Sequence, residues 1–296
     1  HVGALGMVLW YPKPAYADGL PSTFINRNSY APYAALGLLC ALALMFSEWR
    51  ARRAARGTLL RPEDAAALAR SDLRLGLLAL AVAVLAIALM LTRSRGGFYG
   101  LGATLAVAVL ALALAGLLRG RQLAATLGIG ALAGAALLAA VGGGLAGRLE
   151  QGSLGIESTR GAIFERLVAA IAQRRFTGHG PGSFQGVFGA VNDGRLYRRG
   201  YHIDKAHNTY LELALEAGIP AAAALVAVAM AFALLCLVAL LRRKAVRFAL
   251  TGFAASAMVA IHALVDFSLQ MPAVAITYAA LLGVGAAQSL RRLAPE

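Results

Sequence analysis

Uninterrupted apolar runs are the feature that most limits what this chain can fold into. The stretch GLLALAVAVLAIALML contains no charged residue, and similar windows recur along all 296 residues. An α-helix rises ~1.5 Å per residue, so roughly 20 residues cross a hydrocarbon layer of roughly 30 Å. A soluble domain does not need such runs for its core. We therefore predict an all-α, polytopic bundle of transmembrane helices with seven spans, at Ala31–Phe46, Leu73–Leu91, Phe98–Leu118, Leu123–Val141, Ile219–Leu241, Phe248–Val265 and Pro272–Leu290.

Basic residues determine the predicted orientation of these spans. A net charge of +14 would suggest a nucleic-acid partner if the protein were soluble. Fifteen basic residues, however, follow spans one, three, five and seven, where the positive-inside rule places cytoplasmic segments. We therefore predict a cytoplasmic C-terminus and no nucleic-acid partner. The fifteen are Arg50, Arg52, Arg53, Arg56, Arg61, Arg70, Arg74, Arg119, Arg121, Arg242, Arg243, Lys244, Arg247, Arg291 and Arg292.

Composition divides the chain into three parts. We predict an N-terminal transmembrane part at residues 1–141, an external loop at 142–208 and a C-terminal transmembrane part at 209–296. The chain opens on the apolar HVGALGMVLW without an initiating Met, so we expect further spans upstream of it. Because loops on a rigid scaffold carry function, we expect the external loop, with short amphipathic helices, to contribute to the site.

Two stretches of the external loop predict local structure. In STRGAIFERLVAAIAQRRF, the apolar residues Ile163, Leu167, Val168 and Ile171 recur at helical spacing, which predicts an amphipathic helix lying on the membrane surface. The glycine-rich TGHGPGSF lacks the Lys-Ser/Thr of a P-loop and follows no strand. We interpret it as a tight turn.

The stretch KAHNTYLELALEAGIP places polar residues immediately outside a span. Thr209 and Glu212 fit the capping box T-x-x-E, which predicts a short helix that starts at Thr209. His207 and Asn208 are then held at the external boundary of the membrane. They are either site residues or a solvated histidine beside a capping asparagine.

The turn TRSRGGFYG puts Arg93 and Arg95 on the external side, against the positive-inside tendency. A guanidinium binds phosphate bidentately and stays charged, which suits a site that holds a diphosphate. Gly96 and Gly97 permit close approach of the backbone. The alternative is that both arginines extend to the lipid headgroups.

The other titratable residues give weaker signals. The histidines show no HxxxH or HExxH spacing, so we predict no metal site. Cys40 and Cys236 fall inside spans and predict no disulfide. In HALVDFSLQMP, Asp266 and Gln270 lie at an external helix junction, and His262 lies one turn earlier. These residues are either site residues or part of a simple helix-capping turn.

Four stretches, in the same order and on the same predicted face, resemble the O-antigen ligase and polymerase superfamily: RSRGG, STRGAIFERLVAAIAQRRFTGHGPGSF, AHNTYLELALEAGIP and HALVDFSLQMP. The resemblance implies a multi-pass enzyme of the bacterial inner membrane with a periplasmic active face. It implies inverting transfer of a glycan from an undecaprenyl-diphosphate donor, without a metal or another cofactor. The implied partners are that lipid-linked glycan, membrane lipid, and an acceptor that is a glycan, the lipid A core or a protein hydroxyl.

The resemblance also assigns roles to residues. His207 of AHN matches an essential histidine, and Arg95 of SRGG and Arg160 of STRG match arginines that hold the donor diphosphate. Arginines can stabilise the charge that develops on a diphosphate leaving group, and a neutral imidazole is a reasonable base near neutral pH. Further candidate site residues are Arg93 and Arg27 for the donor, and Asn208 and Asp266.

The sequence thus predicts a membrane glycosyltransferase of the O-antigen ligase or polymerase type, in lipopolysaccharide or exopolysaccharide biosynthesis. The alternatives are a protein O-oligosaccharyltransferase of the same superfamily and a transporter or flippase for a polyprenyl-linked glycan. Transport would require charged residues inside the spans, which are almost uncharged. A purely structural membrane partner would leave the external arginines without a ligand.

Overall fold

Helices make up most of the chain in the computed structural model, which describes residues 7–8, 11–12, 20, 22–24, 26–55, 65–118, 120–128, 130–131, 161–191 and 203–294. Two short strands, β1 (Met7–Val8) and β2 (Tyr11–Pro12), pair antiparallel. Residues 121–128, 130–131 and 161–173 are helical, and Ser268–Gln270 forms a 3-10 turn. The other helices are α1 (Arg27–Ala55), α2 (Ala65–Thr92), α3 (Arg95–Leu114), α4 (Phe184–Val191), α5 (Thr209–Ala217), α6 (Ile219–Leu241), α7 (Val246–Ala263) and α8 (Pro272–Leu293).

Six helices of the described residues, α1 to α3 and α6 to α8, are long and apolar enough to cross a membrane. They correspond to six of the seven predicted spans and confirm the predicted all-α bundle, because the thickness of the hydrocarbon layer fixes the length of such helices. Helix α3 ends at Leu114, before the predicted Leu118, and Gly116 just beyond it has a left-handed backbone with φ +64°. The remaining predicted span, Leu123–Val141, lies mostly outside the described residues and stays a prediction.

Helix α7 lies at the centre of the bundle and contacts α1, α3, α6 and α8. Small residues in its sequence allow this, since they let helix backbones approach closely inside a membrane. A β-carbon at Gly252 would lie 2.9 Å from Sγ of Cys236 on α6 and 3.2 Å from the α-carbon of Gly285 on α8. By contrast, α2 contacts mainly α1 and leaves most of its apolar surface exposed.

The six apolar helices begin and end at two chemically different ends of the bundle. At one end, Arg243 Nε in the turn between α6 and α7 donates to the carbonyl oxygen of Ala115 after α3, at 2.7 Å. Arg52 and Arg53 of α1 and the basic last turn of α8 belong to this end. The start of α1, the α2–α3 turn, α5 and the end of α7 meet at the opposite end, which holds all the described candidate site residues.

The external loop has a small apolar core of its own. The 161–173 helix packs against α4 and α5 through buried side chains, among them Ile163, Leu167, Ile171, Phe184, Phe188 and Leu215. The predicted amphipathic helix is therefore present, but its apolar stripe is covered by protein rather than lying on the membrane surface. Of the four residues that predicted it, Val168 alone points away from this core and is 56% exposed.

The stretch TGHGPGSF forms the predicted tight turn and fixes the loop to α5. Gly178, Gly180 and Gly182 have φ values of +69°, +103° and +74°, which favour glycine. The backbone N–H groups of His179 and Gly180 donate to the carbonyl oxygens at the end of α5, both at 2.9 Å. A β-carbon at Gly178 would lie 2.2 Å from the carbonyl oxygen of Glu216, so no larger residue fits there.

Candidate active site

Side-chain hydrogen bonds join the start of α5 to the end of α7 and the residues just after it, 50 to 57 positions later in the sequence. Asn208 Nδ2 donates to the Leu264 carbonyl oxygen at 3.1 Å, Thr209 Oγ1 to that of Asp266 at 2.9 Å, and Tyr210 Oη to that of Ala260 at 2.9 Å. The last carbonyl groups of a helix have no partner within it, so Ala260 of α7 offers one acceptor, and Leu264 and Asp266 just after the helix offer the other two. Burial, with a smaller effect of Tyr278, raises the pKa of Tyr210, which keeps its hydroxyl protonated as a donor.

His207 has an unusual backbone conformation that its neighbours hold in place. Its φ is +52°, in the left-handed region that residues other than glycine seldom adopt. Before it, the backbone N–H of Ala206 donates to Glu212 Oε2 at 2.9 Å. After it, Asn208 Oδ1 accepts from the backbone N–H of Leu211 at 3.0 Å. Such strain persists where surrounding contacts impose it, and it is common at functional sites.

The predicted start of α5 at Thr209 is confirmed, but the cap is formed differently from the prediction. Asn208 is the N-cap residue, and the Thr209 hydroxyl donates to the carbonyl oxygen of Asp266 instead. The Glu212 carboxylate reaches beyond the cap to Ala206, and Lys205 Nζ lies 3.5 Å from it. The capping residues therefore position His207 as well as the helix.

We expect the substitution Asn208→Ala to destabilise the protein by about 1 to 2 kcal/mol, because it removes an N-cap and the hydrogen bond to the Leu264 carbonyl oxygen. Thermal unfolding of the detergent-solubilised protein measures this as a lower Tm. Asn208→Asp keeps the capping acceptor and loses the donor to Leu264, so its Tm should lie between that of the wild type and that of Asn208→Ala. An unchanged Tm in the alanine variant would contradict the structural role of Asn208.

His207 and Asp266 form a polar pair. Nδ1 of His207 lies 3.5 Å from Oδ1 of Asp266 without forming a hydrogen bond, and among the described residues Nδ1 has no hydrogen-bond partner. The His207 side chain is 30% exposed and that of Asp266 4%. Since Nδ1 itself is buried, the exposed surface belongs to the rest of the side chain. The pair thus combines a buried carboxylate with an imidazole that is accessible from the other side.

The Asp266 carboxylate is held by its own turn. Oδ1 accepts from the backbone N–H of Phe267 at 2.8 Å, and Oδ2 accepts from Ser268 Oγ at 3.4 Å. The Phe267 ring meets the His207 ring edge-on, with centroids 5.2 Å apart. A buried carboxylate requires such donors, because its desolvation is otherwise costly. A carboxylate fixed beside one imidazole nitrogen orients the ring and stabilises its protonated form, which leaves the other nitrogen to accept a proton.

Arg93 lies in the turn between α2 and α3, Arg95 is the first residue of α3, and both residues are exposed. The backbone of Arg93 is left-handed, with φ +52°. Ser94 is the N-cap of α3, where its Oγ accepts from the backbone N–H of Gly97 at 3.2 Å, while its own N–H donates to Thr92 Oγ1 at 3.1 Å. The turn therefore presents two accessible guanidinium groups on a hydrogen-bonded backbone.

The predicted close approach at Gly96 and Gly97 is present. A β-carbon at Gly97 would lie 2.6 Å from Cβ of Ala31 on α1, and one at Gly96 would lie 3.2 Å from Cγ2 of Val265. Val265 directly precedes Asp266, so the arginine turn lies against the segment that carries the carboxylate.

The remaining candidates differ in what the structure says of them. Arg27 is the first residue of α1, and the carbonyl oxygen of the next residue, Asn28, lies 3.4 Å from Ser268 Oγ. The start of α1 thus belongs to the same end of the bundle. Arg160 lies outside the described residues and stays a prediction. The absence of a metal site also stays a prediction. Within the described ranges, no group of three His, Cys, Asp or Glu residues is placed to hold a metal ion.

Sequence reasoning missed two features of this region. Ser268 was not singled out, because its contact with Asn28 is separated by 240 positions and leaves no local pattern. An apolar groove of about 380 Å³ runs between α6 and α7, and Thr209 and Tyr210 line it next to the His207 segment. Its size is that of a small-molecule site, and each of its walls looks like an ordinary span in the sequence.

Comparison with known families supports one assignment. A sequence profile of the family described as O-antigen ligase matches residues 79–226, which are 148 of the 296 residues. The matched range includes the arginine turn and His207 and ends within α6, before Asp266. No curated protein and no solved structure matches the chain.

Proposed function

Because the chain belongs to the O-antigen ligase family, we propose that it is a glycosyltransferase that moves a glycan from undecaprenyl diphosphate to an acceptor hydroxyl. The family and the six apolar helices make it a multi-pass membrane protein of the O-antigen ligase or polymerase type. The observation that carries the finer proposal is the His207–Asp266 pair, which lies at one end of the bundle near a turn with two exposed arginines.

In the proposed reaction, the acceptor hydroxyl attacks the anomeric carbon of the lipid-linked sugar. The bond from that carbon to the diphosphate oxygen breaks, and its electrons leave with the diphosphate. The hydroxyl proton passes to Nε2 of His207, while Nδ1 faces the Asp266 carboxylate. Attack opposite to the leaving group inverts the anomeric configuration. The carboxylate stabilises the imidazolium that forms.

Arginines are the proposed partners of the diphosphate. Negative charge develops on the leaving group, and positive groups held in place beforehand stabilise it most effectively. Arg95 and Arg93 are accessible from the external side, and their turn abuts Val265. We assign the donor site to these two, together with Arg160 and Arg27.

The apolar groove supports a lipid-linked donor. Its outer end is lined by Thr209 and Tyr210, directly after His207, and the rest is lined by aliphatic and aromatic side chains of the spans, such as Leu225, Met230 and Phe253. A polyprenyl chain in this groove would keep the diphosphate near the membrane boundary, where His207 lies.

We propose the bacterial inner membrane as the location, with the His207 end periplasmic and the C-terminus cytoplasmic. Basic residues support this orientation, because Arg242, Arg243, Lys244, Arg291 and Arg292 all lie at the other end. The acceptor is a glycan, the lipid A core or a protein hydroxyl.

The test uses membranes that contain the full-length protein, with an undecaprenyl-diphosphate glycan, candidate acceptors and EDTA. We expect transfer by the wild type, and a kcat/KM for the donor about tenfold lower in Arg95→Ala, since one of several diphosphate ligands is lost. Arg95→Lys should recover part of it. Arg242→Ala, an exposed arginine at the opposite end, is the matched control and should behave as the wild type.

Two results would oppose the proposal. Donor that crosses the membrane without being transferred would favour the transporter alternative. Equal transfer by wild type and Arg95→Ala would remove the arginine turn from the donor site.

A further inference from the structure

His262 is a buried polar residue to which the proposed reaction gives no role. It lies in the last turn of α7, it is 2% exposed, and a substrate has no access to it. Among the described residues, its Nε2 is buried without a hydrogen-bond partner. An imidazole in such a place costs stability unless its other contacts compensate.

Those contacts lead to Asp266. Nδ1 of His262 lies 3.3 Å from Ser268 Oγ, and the same oxygen lies 3.4 Å from Asp266 Oδ2. Asp266 Oδ1, in turn, faces His207 at 3.5 Å. The three contacts form one continuous path from the interior of the bundle to His207.

Counting hydrogens gives this path a direction. Ser268 Oγ has one hydrogen and three groups in range that can accept it: Asp266 Oδ2 and the carbonyl oxygen of Asn28, each at 3.4 Å, and His262 Nδ1 at 3.3 Å when that nitrogen is unprotonated. A charged acceptor forms the stronger bond, so the hydrogen belongs to Asp266. The Ser268 oxygen then has only lone pairs for His262, and Nδ1 of His262 must carry the hydrogen between them. His262 donates to Ser268, Ser268 donates to Asp266, and the other oxygen of Asp266 faces Nδ1 of His207 at 3.5 Å.

The other side of the His262 ring contacts the arginine turn. A β-carbon at Gly96 would lie 3.6 Å from Nε2 of His262, and one at Gly100 would lie 3.9 Å from Cδ2. With its hydrogen on Nδ1, His262 turns the unprotonated Nε2 towards the first turn of α3. The ring is thus wedged between the turn that bears Arg95 and the turn that bears Asp266.

We propose that His262 is a positioning residue that acts through Ser268 to hold the Asp266 carboxylate towards His207. This inference rests on the proposed role of His207 as the base. Without the donor chain, Oδ2 of Asp266 loses its described partner and the carboxylate turns to find another, which releases the His207 ring. The contacts of 3.3 to 3.5 Å are long, so each is weak and the effect on the rate is moderate.

Substitutions at position 262 can separate positioning from packing. The Nδ2 amide of an asparagine occupies the place of histidine Nδ1, whereas the amide of a glutamine occupies the place of Nε2. We expect kcat for glycan transfer to fall about tenfold in His262→Leu and His262→Gln, and at most about twofold in His262→Asn. If His262 served packing only, kcat would fall less in His262→Leu than in His262→Asn, because leucine suits a buried apolar site better than asparagine. Met258→Leu, one turn earlier in α7 and also against α3, is the packing control.

A double-mutant cycle tests the path through Ser268. We expect Ser268→Ala to lower kcat about tenfold, and the double variant His262→Leu/Ser268→Ala to lose no more than either single variant. Losses that multiply to about a hundredfold would overturn the proposal, as would an asparagine variant no better than the glutamine one. Ser268→Ala removes a single oxygen, so it tests the path even if the His262 variants fold poorly.

A second readout does not depend on transfer. Diethyl pyrocarbonate modifies accessible imidazole nitrogens, and mass spectrometry of the full-length protein measures its rate at His207. A released ring exposes both nitrogens, so we expect modification about threefold faster in His262→Leu and Ser268→Ala and unchanged in His262→Asn. Equal rates in all variants would overturn the positioning role. If the wild type transferred no glycan but the variants still differed in the rate of His207 modification, the result would count against the proposed function alone.

Discussion

The substitution His207→Ala is expected to lower glycan transfer by about a thousandfold. A positioned general base contributes typically 10²- to 10⁴-fold to a rate, and in this site the imidazole is the accessible base next to a buried carboxylate. The lipid-linked donor should still bind, since Arg93 and Arg95 lie on a different turn. We therefore expect the loss in kcat, measured by transfer in membranes, with the KM for the donor within about twofold of the wild type.

A second external histidine provides the control. His179 lies in the glycine-rich turn, where its Nε2 is 3.0 Å from the carbonyl oxygen of Ala170. His179→Gln keeps a donor at that place and should retain wild-type transfer. Wild-type rates in His207→Ala, at equal protein level, would remove His207 from the reaction.

The substitution Asp266→Asn is expected to lower kcat between about 10- and 100-fold. A hydrogen bond to a charged group contributes ~1.5–3 kcal/mol, and the neutral amide cannot stabilise the imidazolium that forms as His207 takes the proton. The fold should survive, because Thr209 donates to the backbone carbonyl of Asp266 rather than to its side chain. Steady-state transfer with saturating donor measures this loss directly.

Asp204 offers a matched acidic residue, since it is exposed and belongs to the same external segment. Asp204→Asn should leave kcat unchanged. If Asp266→Asn also left kcat unchanged, the carboxylate would have no part in the reaction, and the buried His207–Asp266 pair would serve folding only.

The spans could be predicted because lipid imposes one length and one composition on every helix that crosses it. The direction of successive spans then placed Arg93, Arg95, His207 and Asp266 at the same end. What composition could not supply is the contact between His207 and Asp266. That contact depends on side chains of residues 208–210 that donate to backbone carbonyls of residues 260–266, and such bonds leave no periodic pattern.

Hydrophobic periodicity also has a limit that the external loop illustrates. The spacing of Ile163, Leu167 and Ile171 correctly indicated a covered face, but it carries no information about what covers that face. The structure shows α4 and α5 in that place, where the sequence interpretation had put lipid. The cap of α5 is a similar case: both Asn208 and Thr209 suit an N-cap, and the competing bond from Thr209 to Asp266 decides between them.

The hydrogen bonds from residues 208–210 to residues 260–266 depend on side-chain identity at one end only. Each has a specific side chain as its donor, but its acceptor is a backbone carbonyl that every amino acid supplies. Ala260 and Leu264 can therefore change without altering these bonds, whereas Asn208, Thr209 and Tyr210 cannot. Methods that infer contacts from correlated substitutions in related chains would find little correlation across this junction, although it holds the two halves of the proposed site together.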